Sequence, residues 1–254
     1  PKPIPAIPSL MNPVQTKAVA AGIDLDRLPV HIGMIMDGNG RFAKAQGFAR
    51  LWGHHKGYKT LRTALLDCSD LGVRYLTVYA FSSENWRRSD EEVAGLMQLI
   101  EKSTRDEVPT MMRNNVRLKV SGRLKELPAS LQDAFQFAVE TTAANTGITF
   151  TLAVNYGGRA EIVDAVKSLI RAGVPANEID EACLSRKMYL PEVPDPDMIL
   201  RTAGEVRWSH LLIYQAAYAE VGVKDTTWPE FKQEDLFAGG LEYQSRLRKF
   251  GGLA

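Results

Sequence analysis

The sequence predicts an α/β fold, one domain with a mainly parallel central β-sheet flanked by helices. Five short runs rich in Val, Ile, Leu and Thr recur along the 254 residues. Helix-length amphipathic stretches separate them, and no long linker or shift in composition divides the chain. Strands joined by helices of that length form βα units, and the parallel sheet they build is buried on both faces. In such sheets ligands bind beyond the carboxyl ends of the strands, so polar clusters are expected just after the apolar runs.

Residues 1–25 read as a flexible arm with a first helix. The arm opens on the Pro-rich PKPIPAIPSL, which has neither the apolar core nor the cleavage pattern of a signal peptide. Residues 26–254 read as the single domain. Strands are expected over 30–36 (VHIGMIM), 74–81 (RYLTVYAF), 116–121 (VRLKVS), 148–154 (ITFTLAV) and 197–201 (DMILR). Their composition and short length favour strand over buried helix. Helices are expected over 55–70, 90–112, 128–144, 158–171 and 177–187. The second of these opens on Ser89-Asp90-Glu91-Glu92, acids suited to a helix N-terminus. A last helix over 232–247 follows the Trp228-Pro229 break.

Apolar residues make up 45% and charged residues 24% of the chain, ordinary for a globular protein that buries a core. Lys plus Arg (31) nearly balances Asp plus Glu (30), which argues against a nucleic-acid partner and leaves any anion site to local clustering. The two cysteines, Cys68 and Cys183, have no neighbour at metal-ligand or redox spacing. They fit idle thiols in a reducing, cytoplasmic setting. No apolar run approaches the ~18 residues that span a bilayer.

Three polar clusters follow strand ends. After the first strand come Asp37, Gly38, Asn39, Gly40 and Arg41, then Arg50 and His54. The glycines permit positive φ and close approach, and one carboxylate beside bases suits a divalent cation bridging protein and phosphate. Taken alone, DGNG is explained slightly better as a turn capped by Asp37. After the second strand comes FSSENWRR, where Ser82, Ser83, Glu84 and Asn85 suit a helix cap. Trp86 beside Arg87 and Arg88 suits an amphiphilic ligand with an anionic head. After the fifth strand, Arg201 and Arg207 with Gly204 and Ser209 form either a diphosphate cradle or a pair of surface arginines. Glu220 lies in the mostly apolar AYAEV, as a structurally paired acid or as a metal ligand. No nucleophilic Ser or Cys adjoins a base, and there is neither a P-loop nor GxGxxG. The set fits electrostatic stabilisation of a leaving diphosphate better than covalent catalysis.

The stretches HIGMIMDGNGRFA, GHHKG, YAFSSENW, VNYGGR, RTAGEVRWS, WPEF and the final RLRKFGG together resemble the cis-prenyltransferase family, most closely its bacterial undecaprenyl diphosphate synthases. The resemblance covers nearly the whole chain after the arm. It implies a parallel sheet with an apolar substrate tunnel, a homodimer, and Mg²⁺-dependent condensation of isopentenyl diphosphate onto an allylic diphosphate such as farnesyl diphosphate. The product would be a long polyprenyl diphosphate, such as undecaprenyl diphosphate for the lipid carrier of cell-wall synthesis, with peripheral membrane contact when it leaves. Asp37 would serve the metal and Asn39 the reacting centre. Gly38, Gly40, Arg41, Phe42, Arg50 and His54 would hold the allylic diphosphate. Ser82, Asn85, Ser83, Glu84, Trp86 and Arg88 would orient substrates, with Ser82 and Asn85 assisting proton removal. Arg201, Arg207 and Ser209 would bind isopentenyl diphosphate, and Glu220 would be a second metal acid. Leu96, Leu99, Ile100, Phe135 and Val139 would line the tunnel, or simply pack between helices.

Several positions depart from the family pattern: Phe42, Val206, Trp208, His210, Gly222, Val223 and Lys249. They bear on substrate preference and product length, which leaves a short- or medium-chain synthase as the alternative. A non-catalytic partner subunit would be expected to lack Asp37 or the arginines, and they are present. A phosphatase using Asp37 as nucleophile would want a second acid where Asn39 stands.

Overall fold

Strand β1 (His31–Ile35) is buried along its whole length, as expected of a strand with neighbours on both sides and helices on both faces. The protein is described by a computed structural model over residues 11–248. The other strands are β2 (Tyr75–Ser82), β3 (Arg117–Ser121), β4 (Thr149–Tyr156), β5 (Met198–Arg201) and β6 (Glu220–Val223). All pair in parallel, in the order β3-β4-β2-β1-β5-β6. The chain leaves β1 toward β2 on one side, and later places β5 on the other. The switch between β1 and β5 opens a crevice beyond their carboxyl ends.

The helices are α1 (Pro13–Ala20), α2 (Asn39–Ala45), α3 (Arg50–Leu71), α4 (Asp90–Arg113), α5 (Ala129–Thr142), α6 (Gly158–Arg171), α7 (Glu181–Ser185) and α8 (Gln233–Ser245). Strand periodicity sorts the core into two layers. Ile32, Met34, Leu76, Val78, Phe150 and Leu152 face the larger one, packed under α3, α4 and α5. Ile35, Ala153 and Ile199 point the other way, against Leu211, Leu212 and Ala216. Gly33 shares that second face because a Cβ there would fall 2.5 Å from Ile199 Cδ1.

Several elements differ from the sequence expectation, whereas α1 is the first helix expected in the arm. β6 was not anticipated, since EVGV is four residues long and contains a glycine. α3 begins at Arg50 rather than 55, through a stretch holding Gly53, Gly57 and two histidines that weaken the helical signal. The helix expected over 177–187 shortens to α7, because Asp180 accepts from the Cys183 N–H at 2.7 Å and restarts the chain there. Within the expected arm, α1 is closed by a capping box of Asn12 and Gln15, and Ala18 is fully buried. Residues 1–10 and Lys249 lie outside the described residues.

Candidate active site

The crevice between β1 and β5 holds the first and third polar clusters together. Asp37 follows β1, and its backbone carbonyl accepts from Thr202 Oγ1 at 2.7 Å and from the Trp228 N–H at 2.9 Å. Its side chain accepts from the Gly38 N–H through Oδ1 (2.7 Å) and from Arg201 Nη2 through Oδ2 (2.8 Å). Arg207 and Arg41 each stand 3.8 Å away. Burial alone would raise the Asp37 carboxyl, but Arg201, the Gly38 N–H and Arg41 outweigh it and hold the group below its ordinary value. Gly38 has φ +102°, and a Cβ there would meet Thr227 at 2.8 Å, so only glycine makes this turn.

Arg201 is 3% exposed and anchors the third cluster. Its Nη1 donates to Ser209 Oγ at 2.7 Å and to the Arg207 carbonyl. The loop carrying these groups bends through left-handed backbone at Ala203, Ser209, His210 and Leu212, conformations that non-glycine residues adopt at a cost. Arg207 itself is largely exposed and pairs with Glu205, which also holds Arg41 at 3.0 Å.

Arg50 and His54 of the first cluster, on α3, meet Arg88 of the second at Glu92 of α4. Glu92 accepts from Arg88 at 2.8 Å, and Arg50 and His54 each stand 3.7 Å from the same oxygen. Burial, and next the Arg88 charge, push the His54 imidazole down to about 4 against the pull of Glu92. His54 is therefore neutral at pH 7, with its buried Nε2 unpartnered. Asn39 Oδ1 is likewise buried without a partner. It lies against α3 at Gly57, where a Cβ would come within 2.3 Å of it and 2.8 Å of Trp228. Gly53 and Gly57 thus let α2 and Trp228 press onto α3, and Trp228 Nε1 donates to the Gly57 carbonyl at 2.8 Å.

These clusters form the mouth of one cavity of about 470 Å³ that runs between the sheet and helices α3 and α4. Asp37, Asn39, His54, Ser82, Glu84, Asn85, Arg88, Arg201, Arg207 and Ser209 line it. Arg41 and Arg50 reach the mouth through their ion pairs with Asp37 and Glu92. Gly40 makes room for Arg50, whose Nε would lie 2.5 Å from an added Cβ. FSSENW does cap a turn, since the Ser82 N–H donates to Asn85 Oδ1 at 3.0 Å, yet both side chains also face the cavity. Leu96, Leu99 and Ile100 line its apolar part.

Other expected residues are placed elsewhere. Phe42 stacks on Trp52 at 5.6 Å. Ser83 packs against Gly157. Trp86 donates to Asn155 Oδ1 at 2.7 Å and meets Phe81 edge-on. Phe135 is buried in the larger core layer and Val139 packs against that layer; neither lines the cavity. Glu220 opens β6 opposite Met198, about 10 Å along the sheet from the level of Arg201. It pairs with Arg246 at 2.9 Å. Within one chain, the two expected metal carboxylates are therefore not brought together.

The departures have mixed consequences. Val206 is 80% exposed on the rim, and His210 stands 3.5 Å from Glu84. Gly222 packs closely on β5, where a Cβ would fall 2.7 Å from the flexible Met198 Cε. The counter-carboxylates Glu92 and Glu205 were missed by sequence reasoning. Glu92 alone left a signal, an acid four residues after Arg88.

Among the described residues no group of three or more His, Cys, Asp or Glu side chains is placed to hold a metal ion. Asp37 nonetheless fits Mg²⁺, which is commonly held by one or two carboxylates, with water and substrate phosphates completing its shell. Each Asp37 oxygen accepts one hydrogen bond and keeps further acceptor capacity. The donor set suits an Mg²⁺-diphosphate rather than a free-standing metal centre.

A parallel α/β sheet with an arginine-rich mouth around Asp37 on a largely apolar cavity defines a protein that handles amphiphilic phosphate esters. Residues 35–251 match the prenyltransferase family model described as "Putative undecaprenyl diphosphate synthase". An isoprenyl transferase of Clostridium perfringens is 44% identical over 232 residues, covering 90% of this chain and 92% of that protein. One of Fusobacterium nucleatum is 46% identical, covering 89% and 97%. The crystal structure of lavandulyl diphosphate synthase from Lavandula x intermedia, in complex with dimethylallyl diphosphate, superposes with a TM-score of 0.85 at 32% identity over 89% of this chain and 99% of that one. The chain belongs to the undecaprenyl diphosphate synthase family of cis-prenyltransferases. It is a prenyl-transferring enzyme, and its family acts on isoprenoid diphosphates.

Proposed function

We propose that the enzyme elongates an allylic diphosphate, farnesyl diphosphate in the first instance, by successive cis-condensation with isopentenyl diphosphate to a long-chain polyprenyl diphosphate. The observation that carries this is the Asp37–Arg201–Ser209 network at the polar mouth of a single apolar cavity. A diphosphate needs converging cations and N–H or O–H donors, while its prenyl tail needs a dry, apolar wall. The cavity offers both in sequence.

The allylic C–O bond breaks with its electron pair leaving on diphosphate, and the isopentenyl π bond then forms the new C–C bond. Loss of a proton restores a double bond. Arg41, Arg50 and neutral His54 would hold the allylic diphosphate, the imidazole as a hydrogen-bond donor that carries no charge of its own. Arg201, Arg207 and Ser209 would hold isopentenyl diphosphate. Ser82 and Asn85, adjacent on the cavity wall, would orient the centre that loses the proton. Asn39 Oδ1 offers an unpaired acceptor close by. Asp37 would carry Mg²⁺, which when bound supplies Lewis-acid stabilisation to the departing diphosphate. Preorganised charge of this kind is commonly the largest contribution to catalysis.

The test is incubation of the purified enzyme with farnesyl diphosphate and labelled isopentenyl diphosphate, with Mg²⁺ or with chelator. Labelled polyprenyl product that requires added metal is expected. Its absence with every allylic primer from C5 to C15 would overturn the proposal. A short-chain enzyme is the second reading, favoured by the likeness to a synthase solved with dimethylallyl diphosphate.

A further inference from the structure

The α4 face that lines the cavity changes character along its length. It is apolar at Leu96, Leu99 and Ile100, polar at Ser103, Thr104, Glu107 and Thr110, and apolar again at Met111. Thr104 Oγ1 is buried without a hydrogen-bond partner. Glu107 meets two cavity-lining residues of α3: it accepts from the Tyr58 hydroxyl and from Arg62 Nε at 2.8 Å and Nη2. The Arg62 guanidinium lies 5.8 Å from the centre of the Tyr58 ring, completing a polar clasp that ties α3 to α4.

The space available gives the clasp its meaning. The cavity, about 470 Å³, is finite, and each condensation adds five carbons to the tail inside it. A growing tail must therefore press outward. The sheet wall, with Leu118, Phe150 and Leu152 in the close-packed core, is stiff. The α3–α4 seam is held instead by a clasp whose Arg62 is half-exposed, and exposed ion pairs contribute little stability. A hydrocarbon tail entering there must also lie against a carboxylate and a hydroxyl that has no hydrogen-bond partner.

We infer that the Tyr58–Glu107–Arg62 clasp, with the polar α4 face beside it, is the determinant of product chain length: elongation slows when the tail reaches it. The inference rests on the elongation reading. Tyr58 and Arg62 stand one and two helical turns along α3 from His54 of the mouth, so the clasp meets the tail and not the diphosphate.

The experiment compares products of the wild type, Tyr58→Phe, and the paired Arg62→Leu/Glu107→Leu variant, using farnesyl diphosphate and excess isopentenyl diphosphate. Chain lengths are read by mass spectrometry of the dephosphorylated polyprenols. The expected result is a distribution moved up by at least one C5 unit in Tyr58→Phe, and further in the paired variant. Unchanged or shorter products from folded, active variants would overturn the inference. Tyr58→Phe removes a single oxygen and decides the matter alone if the paired variant does not fold. A wild type that makes no condensation product would instead count against the elongation reading.

Discussion

Arg201 Nη2 stands 2.8 Å from Asp37 Oδ2, joining the carboxyl ends of two adjacent parallel strands across the switch point of the sheet. The pair is asymmetric. Arg201 is almost fully buried while Asp37 is about a third exposed, so the acid faces the cavity and the base supports it from beneath.

That asymmetry separates the two arginines of the third cluster. Arg207→Ala should leave the thermal midpoint within a degree or two, since exposed ion pairs are worth about 0–1 kcal/mol. It should raise KM for isopentenyl diphosphate at least tenfold, with little change for the allylic partner. Arg201→Ala should do the same to KM and also cost stability, about 1–3 kcal/mol, because it leaves a half-buried carboxylate unpaired. Steady-state kinetics with each substrate varied, together with urea unfolding, check both. Equal KM effects on the two substrates would show that the diphosphate sites are exchanged.

Two buried histidines set an acid limit on stability. Burial pushes His31 down to about 4 despite its contacts with the Pro194 carbonyl and Asp197, and His54 lies at about 4 as well. Both folded values fall below the ordinary 6.5, so the fold favours the neutral form. Their contribution is complete above pH 6.5 and is lost as pH falls toward 4, by about 1.4 kcal/mol per pH unit for each histidine. Asp37 acts lower: its depressed carboxyl contributes above the ordinary carboxylate range and is lost only on further acidification. Urea unfolding at pH 7.5, 6 and 5 should show a steep drop between the last two. A flat profile there would contradict neutral burial.

Gly57→Ala should be far more damaging than an alanine in an exposed helix. The added methyl meets Asn39 Oδ1 at 2.3 Å and Trp228 at 2.8 Å, and overpacking of this kind costs about 1–3 kcal/mol. Because Asn39 lies at the mouth, kcat should fall with the melting temperature, by roughly tenfold or more if the reacting groups shift by an ångström. Assay well below the midpoint separates the two effects, and full activity there would deny Asn39 a catalytic position.

Much of this was legible in the sequence, for a physical reason. Strands buried on both faces must be short apolar runs, so β1, β2, β4 and β5 stood out. A parallel sheet also puts ligands after strand ends, so the clusters at Asp37, Ser82 and Arg201 could be read together. What sequence could not give was direction. Phe42, Ser83 and Trp86 lie in the right segments, yet their neighbours Trp52, Gly157 and Asn155 draw them away from the cavity. Glu220 looked like a partner for Asp37 until the β5–β6 register placed it at the other end of the strand. The clasp of Tyr58, Arg62 and Glu107 joins residues 45 and 49 apart in the chain, a meeting that no local pattern records.

The most direct test is Asp37→Asn, which keeps the side chain's size and removes its charge. With farnesyl and isopentenyl diphosphates and Mg²⁺ supplied, the variant should remain folded, less stably because Arg201 loses its counter-charge, and should lose condensation by a thousandfold or more, about 4 kcal/mol of barrier. A folded Asp37→Asn enzyme with wild-type turnover would contradict the assignment of this mouth as the place where the diphosphate departs.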